Sequence, residues 1–199
     1  MKWPYSDKIL FAGPCAAETE QQVMETATGI AANFPRTIFR SGIWKPRTRP
    51  DSFEGVGDVG LKWLQEVKKK TGLRIAVEVA NAAHVEACLK HGIDIFWIGA
   101  RTTGNPFSVQ DIADALQGVN IPVYIKNPVY PDLNLWMGAV ERIKRSGVQS
   151  VGAIFRGFYS YEVTQYRNIP RWEVPLDLKT RMPDLPLICD ISHIAGNTE

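Results

Sequence analysis

Cysteine, net charge and long apolar runs are all scarce in this chain, and each scarcity removes a class of protein. Cys15, Cys88 and Cys189 are the only three cysteines in 199 residues. An odd number at wide spacing argues against a disulfide framework and fits a reducing compartment, expected to be the cytoplasm. The formal charge is only +2, so the basic field that drives nucleic-acid binding is missing. No apolar stretch approaches the ~20 residues a membrane span needs. LFAGPC near the N-terminus places a cysteine after small residues, as a lipoprotein signal does. Asp7 and Lys8 interrupt its apolar region, however, and Pro14 directly precedes the cysteine. Internal repeats, low-complexity tracts and interdomain linkers are absent too.

What is present is regular. Hydrophobic residues make up 45% of the chain, enough for one sizeable core, and a single catalytic domain over residues 1–199 is the simplest expectation. Seven short apolar runs, ILFA, TIFRSG, RIAVEV, DIFWIG, PVYIK, VGAIFR and PLICD, each end in or run into a reactive or ionic side chain. In order these are Cys15, Arg40, Glu78, Arg101, Lys126, Arg156 and the pair Asp190 and His193. The runs are mostly continuous rather than alternating, the pattern of strands covered on both faces.

Helical periodicity fills the intervals. The stretch Glu18 to Phe34 carries apolar residues at helical spacing after Thr19, a candidate cap; Asp58 precedes LKWLQEVKKK, which stops before Gly72; Asn81 precedes AAHVEACLKHG. Pro106 to Leu116 and Leu133 to Arg145 continue the series, and a helix around Val174 to Met182 is expected after a long loop. Alternating strand and helix predicts an α/β class with a parallel sheet, either doubly wound or closed. Active side chains after nearly every strand favour the (β/α)8 TIM barrel, whose site is assembled from all its strand ends. Seven strands are counted before the chain stops six residues past His193, so the eighth strand is expected to be missing and the domain C-terminally incomplete.

The segment RSGIWKPRTRP places Arg40, Lys45, Arg47 and Arg49 on a loop after a strand, with Gly42 and two prolines preventing a helix. Arginine on a rigid loop suits bidentate capture of phosphate or carboxylate. An ordinary solvated loop is the alternative. Arg101, Lys126 and Arg156 tilt the balance, because each follows buried residues where an uncompensated charge is costly. Salt bridges to Glu78 and Asp190 could satisfy some of them, yet the cations outnumber these acids, so an anionic ligand with several charges is the expected partner. Cys15 and His193 would suit a divalent transition metal, although two ligands are too few alone. His84, His91 and Cys88 share one helix and are expected at the surface or in packing rather than as ligands; the tryptophans are expected in core and rim, with Trp44 inside the cationic loop as a candidate pocket lining.

GPC at Gly13 to Cys15 with Glu18 close behind, KPRT at Lys45 to Thr48 followed by PDSFEGVG, IGAR at Ile98 to Arg101, PVYIK, FRG at Phe155 to Gly157 and ICDISH together resemble type I 3-deoxy-D-arabino-heptulosonate 7-phosphate (DAHP) synthase, closest to its short beta-like subgroup. The resemblance runs from about Ile9 to the end. It implies condensation of phosphoenolpyruvate with erythrose 4-phosphate at the entry to the shikimate pathway and aromatic amino-acid biosynthesis. It also implies that Arg40, Lys45, Arg101, Lys126 and Arg156 hold the phosphate and carboxylate of phosphoenolpyruvate, that Lys45, Pro46, Arg47 and Thr48 receive the aldose phosphate, and that Ala100 and His193 bind substrate as well. Cys15 and His193 match two ligands of a divalent metal (Mn, Fe, Co or Zn). Lys45, Glu78 and His193 are the candidates for proton transfer, with the roles of acid and base left open among them.

A homo-oligomer and a fused or associated chorismate mutase are the partners this resemblance suggests. Two departures stand out: Ile191 where the family usually has proline before Ser-His, and Ala16 and Ala17 where Ser-Val is commoner after GPC. The related 3-deoxy-manno-octulosonate 8-phosphate synthases carry Ala-Asn-Arg after the corresponding lysine, which KPRT does not match. An inactive fragment or pseudoenzyme that binds phosphorylated ligands or a partner is the reading from another class. A Schiff base at Lys45 or Lys126 would instead make a class I aldolase.

Overall fold

The computed structural model describes residues 9–45, 51–162 and 164–196. The chain divides into two compact units. One takes the chain up to Glu78 together with Ala87–Ile95, and the other takes Val79–Glu86 with everything from Phe96 onward.

In the first unit, β1 (Phe11–Ala12), β2 (Ile38–Ser41) and β3 (Arg74–Val79, to Glu78 in this unit) pair in parallel, with Ala12 opposite Phe39 and Arg40 opposite Ala76. Helix α1 (Glu20–Asn33) starts where Thr19 Oγ1 accepts from Gln22 N at 3.1 Å, in keeping with its sequence signal. Helix α2 (Val59–Thr71) packs against α1. Asp58 stands at its cap position with its carbonyl accepting from Leu61 N at 3.1 Å but no side-chain cap bond, and Gly72 ends the helix at φ 71. Leu61, Leu64 and Val67, spaced three residues apart, are buried, as are Phe39, Ile75 and Cys88. Asp94 fixes the entry to β3, accepting from Ile75 N at 2.8 Å and pairing with Lys68 at 2.6 Å.

The second unit carries β4 (Ile95–Ile98, from Phe96), β5 (Val123–Lys126), β6 (Val151–Phe155) and β7 (Leu187–Cys189), again parallel. Helix α3 (Ala82–Lys90, to Glu86 in this unit) is capped by Asn81, whose side-chain oxygen accepts from His84 N at 2.9 Å. After β4 comes the four-residue helix α4 (Ala100–Thr103). Helices α5 (Pro106–Ala115), α6 (Leu133–Arg145) and α7 (Glu173–Arg181) fall where periodicity places them. Asn105 caps α5 and Asp132 caps α6. Trp136 on α6 is fully buried and donates from its one polar atom to Ile125 O at 3.0 Å, so the largest core side chain leaves no donor unsatisfied. A second four-residue helix, α8 (Ile191–Ile194), follows β7; neither it nor α4 is expected from the sequence pattern.

Within each unit the strands follow chain order without reversal, β1-β2-β3 in the first and β4-β5-β6-β7 in the second. That is the barrel progression; a doubly wound sheet would reverse at a switch point. β4 and β6 are buried along their whole length, as continuous apolar runs require. β7 departs from this, with Leu187 and Cys189 exposed, because it is the last strand in the order and has a single neighbour among the described residues. No helix among the described residues is long and apolar enough to cross a membrane.

Candidate functional site

Within the first unit, GPC is a backbone device before it is a chemical one. Gly13 has φ 144, and a Cβ there would run into the carbonyl of Arg40. Only glycine lets the loop after β1 lie against β2. The close approach puts Arg40 Nη1 3.3 Å from Pro14 O, which accepts from it. Ala17 N donates to Gly42 O at 3.0 Å, stitching the same two segments a second time. Lys45 Nζ donates to Cys15 O and lies 3.5 Å from Cys15 Sγ. Cys15 itself is exposed and so is not the small buried hydrophobe that most lone cysteines are. Arg40, Lys45 and Cys15 are therefore brought together; Glu78 stands half-buried on β3. Pro46, Arg47 and Thr48 lie outside the described residues.

Within the second unit, the C-terminal ends of β5, β6 and β7 are consecutive in register, Lys126 opposite Ile154 and Phe155 opposite Cys189. That register sets Lys126, Arg156 and Asp190 at three neighbouring strand ends. Lys126 Nζ lies 3.2 Å from Asp190 Oδ2, with its side chain 12% exposed and that of Asp190 15%. It also sits 5.9 Å from the centroid of the Trp97 ring, within cation–π range. His193 Nδ1 approaches the same Asp190 oxygen at 2.8 Å, and Ser192 Oγ donates to Oδ1 at 2.8 Å. Burial pushes the Asp190 carboxyl up, but His193, Lys126 and Ser192 more than offset it and hold the group well below the usual carboxylate range. An ionised carboxylate only accepts, so the imidazole proton sits on Nδ1 and leaves Nε2 open to a ligand or substrate.

Three residues that sequence reasoning passes over hold this arrangement. Asn127, fully buried after β5, accepts from Arg156 N at 2.8 Å and donates to Pro128 O and Gly157 O, each at 2.9 Å. It clamps the β5 end to the β6 end. Asn168, from the long loop after β6, donates to His193 O at 2.6 Å. Ser192 supports Asp190 through its hydroxyl. For Asn127 and Ser192 the only signal is a polar side chain just after a strand; Asn168, in the long loop, carries none. Ala100 and Arg101 open α4 directly after β4, half-buried and exposed respectively.

Cys88 is buried, and its thiol is pushed up to about 12 by burial first and by Asp58 second. His91 Nδ1 contacts Ala87 O at 2.8 Å, and His84 Nδ1 accepts from Ala80 N at 3.3 Å. Trp97 and Trp136 are core, while Trp172 is half exposed. For a metal, thiol and imidazole are donor types that borderline divalent transition ions take, and a carboxylate behind the far nitrogen is the usual support for a ligating histidine. Four donors close a typical site; among the described residues no three His, Cys, Asp or Glu side chains gather as one.

A model of the DAHP synthetase I family matches residues 5–199. The phospho-2-dehydro-3-deoxyheptonate aldolase of Thermotoga maritima is 30% identical over 190 residues, covering 96% of this chain and 54% of that protein. A 2-dehydro-3-deoxyphosphooctonate aldolase of Nitratidesulfovibrio vulgaris is 27% identical over 184 residues, covering 82% of this chain and 61% of its own. The crystal structure of the T. maritima DAHP synthase superposes with a TM-score of 0.79 at 27% identity, covering 94% of this chain and 53% of that one. The fold is thus of the (β/α)8 barrel class with seven of its strands among the described residues. The chain spans between half and two thirds of the length of these relatives.

Proposed function

Because the chain belongs to the DAHP synthetase I family, we propose that it serves the condensation of phosphoenolpyruvate with erythrose 4-phosphate and water, giving DAHP and phosphate at the entry to the shikimate pathway. The observation that carries the reading is the placement of cations at C-terminal strand ends: Arg40 on β2, Lys126 closing β5 and Arg156 just past β6. Two phosphorylated substrates bring several negative charges to one place, and guanidinium and ammonium groups offset their repulsion.

In this reading Arg40, Lys45, Arg101, Lys126 and Arg156 hold phosphoenolpyruvate, Lys45, Pro46, Arg47 and Thr48 receive the aldose phosphate, and Ala100 and His193 also bind substrate. C3 of the enol forms the new bond to the aldehyde carbon, whose oxygen takes up a proton. Water adds at C2 and gives up one of its protons; the C2–O bond to phosphate then breaks as the new C2 hydroxyl becomes the carbonyl, and phosphate leaves with the bridging oxygen and the hydroxyl proton. Lys45, Glu78 and His193 are the groups proposed to move or hold these protons. A divalent metal, with Cys15 and His193 among its ligands, would supply Lewis-acid polarisation of the aldehyde carbonyl when bound. A homo-oligomer, a fused or associated chorismate mutase and a cytoplasmic setting complete the proposal by the same resemblance.

Heptulosonate formation from both substrates with manganese, repeated with a chelator, tests it. Product that disappears on chelation is expected. The phosphooctonate aldolases among the relatives favour a second reading, in which arabinose 5-phosphate is the aldose. Product with that sugar alone would select it. No product from either aldose, with phosphoenolpyruvate still bound, would leave a binding protein. Trapping by borohydride would turn the chemistry to a Schiff base.

A further inference from the structure

Asp190 touches two of the proposed site's side chains at once. Its Oδ2 lies 3.2 Å from Lys126 Nζ and 2.8 Å from His193 Nδ1, and its Oδ1 accepts from Ser192 Oγ at 2.8 Å. Its backbone N donates to Phe155 O at 2.7 Å, so the carboxylate is carried by the end of the β6–β7 ladder and not by a loose loop. Lys126 has no other carboxylate within salt-bridge distance among the described residues. Its ammonium is thus already neutralised in the protein without ligand, at side-chain exposures of 12% and 15% where water screens little. An anion arriving at Lys126 must compete with Asp190. The two contacts of Oδ2 differ in kind: the imidazole contact is made within one short segment, Asp190 to His193, whereas the Lys126 contact spans two strand ends and depends on a long flexible stem.

We propose that Asp190 is a positioning residue that occupies Lys126 in place of the substrate anion, yields it when a phosphate or carboxylate arrives, and keeps His193 oriented throughout. The proposal rests on the anion-binding role given to Lys126 above. Removing the charge then has two opposite effects. Lys126 is released and binds anions more tightly, while His193 loses the acceptor that holds its proton on Nδ1. Affinity and turnover move in opposite directions, which a merely structural role for Asp190 would not produce.

The test compares the protein with its D190N variant, titrating phosphoenolpyruvate, and separately inorganic phosphate, by calorimetry without metal or aldose. Tighter binding by about fivefold, the worth of one ion pair, is expected in the variant. Adding Lys126→Met should erase the gain, and Asp190→Glu should return the affinity towards the starting value. In turnover, KM for phosphoenolpyruvate should fall along with kcat. Equal or weaker binding by a natively folded D190N overturns the proposal, as does an absence of binding by both proteins. If D190N does not fold, a crystal structure of the unaltered protein with phosphoenolpyruvate decides: the anion on Lys126 with the Asp190 contact opened beyond about 4 Å is expected, and the contact still closed under a bound anion refutes it. The binding contrast without any heptulosonate would defeat only the condensation.

Discussion

Asp190 Oδ2 and His193 Nδ1 face each other at 2.8 Å across a single turn of α8. This pairing makes stability depend on acid. Burial raises the Asp190 carboxyl, His193, Lys126 and Ser192 lower it further than that, and its folded value ends below the unfolded one. A depressed carboxyl stabilises the fold at every pH above the unfolded value of about 4, and the contribution fades as pH falls below it. Thermal melts from pH ~7 down to about 2 should therefore show the melting temperature of the unaltered chain dropping more steeply below pH ~4 than that of Asp190→Asn. Parallel curves for the two proteins would contradict the assignment.

Gly13 is expected to tolerate no side chain. Its φ of 144 and the Arg40 carbonyl against its α-carbon leave no place for a methyl group. Gly13→Ala should cost about 2–4 kcal/mol by backbone strain and overpacking, read as a lower urea midpoint. The loop after β1 would be forced off β2, taking the Pro14 carbonyl away from Arg40. Weaker phosphoenolpyruvate binding should accompany the lost stability; a variant with an unchanged midpoint would show that the loop yields freely.

Asn127→Leu preserves volume roughly and removes three hydrogen bonds. The N–H of Arg156 and the carbonyls of Pro128 and Gly157 would lose their partner in a fully buried place. Leaving such groups unsatisfied costs about 1–3 kcal/mol each, so a loss of at least ~3 kcal/mol is expected from denaturant melts. Because the clamp aligns the ends of β5 and β6, anion affinity should fall even at temperatures where the variant is folded. Full affinity in a destabilised variant would mean that Lys126 and Arg156 are aimed by something else.

Hydrophobic runs announce strands, so the strand ends with their ionic residues are legible in the sequence, and Thr19 and Asn81 mark helix starts that the structure keeps. The short helices α4 and α8 are not legible, because four residues complete barely one turn and leave no period to read. The supporting residues of the site escape for a related reason. Lys126 and His193 stand out beside apolar runs, but that one oxygen of Asp190 serves both is a matter of strand register, 64 residues apart in sequence for Lys126. Asn127 is likewise only a polar residue after a strand until its three bonds are seen. The salt bridge also alters an expectation: strand-end cations outnumber acids in the sequence, yet Lys126 is already paired before any ligand arrives.

The three thiols should separate by reactivity. Cys88 is buried with its thiol pushed up to about 12, so at mildly alkaline pH it is both shielded and overwhelmingly protonated. Cys189 is exposed, but burial of part of its surface and then the Asp190 charge raise its thiol and slow its attack. Cys15 is exposed beside the Lys45 ammonium, surroundings that favour reaction. Ellman's reagent at pH ~8 should therefore label Cys15 first, Cys189 more slowly, and Cys88 only after urea unfolds the chain. Mass spectrometry of the labelled peptides assigns each phase. Adding manganese before the reagent should protect Cys15 if it ligates the metal and leave the Cys189 rate unchanged, while native labelling of Cys88 as fast as Cys15 would contradict the packing of α3.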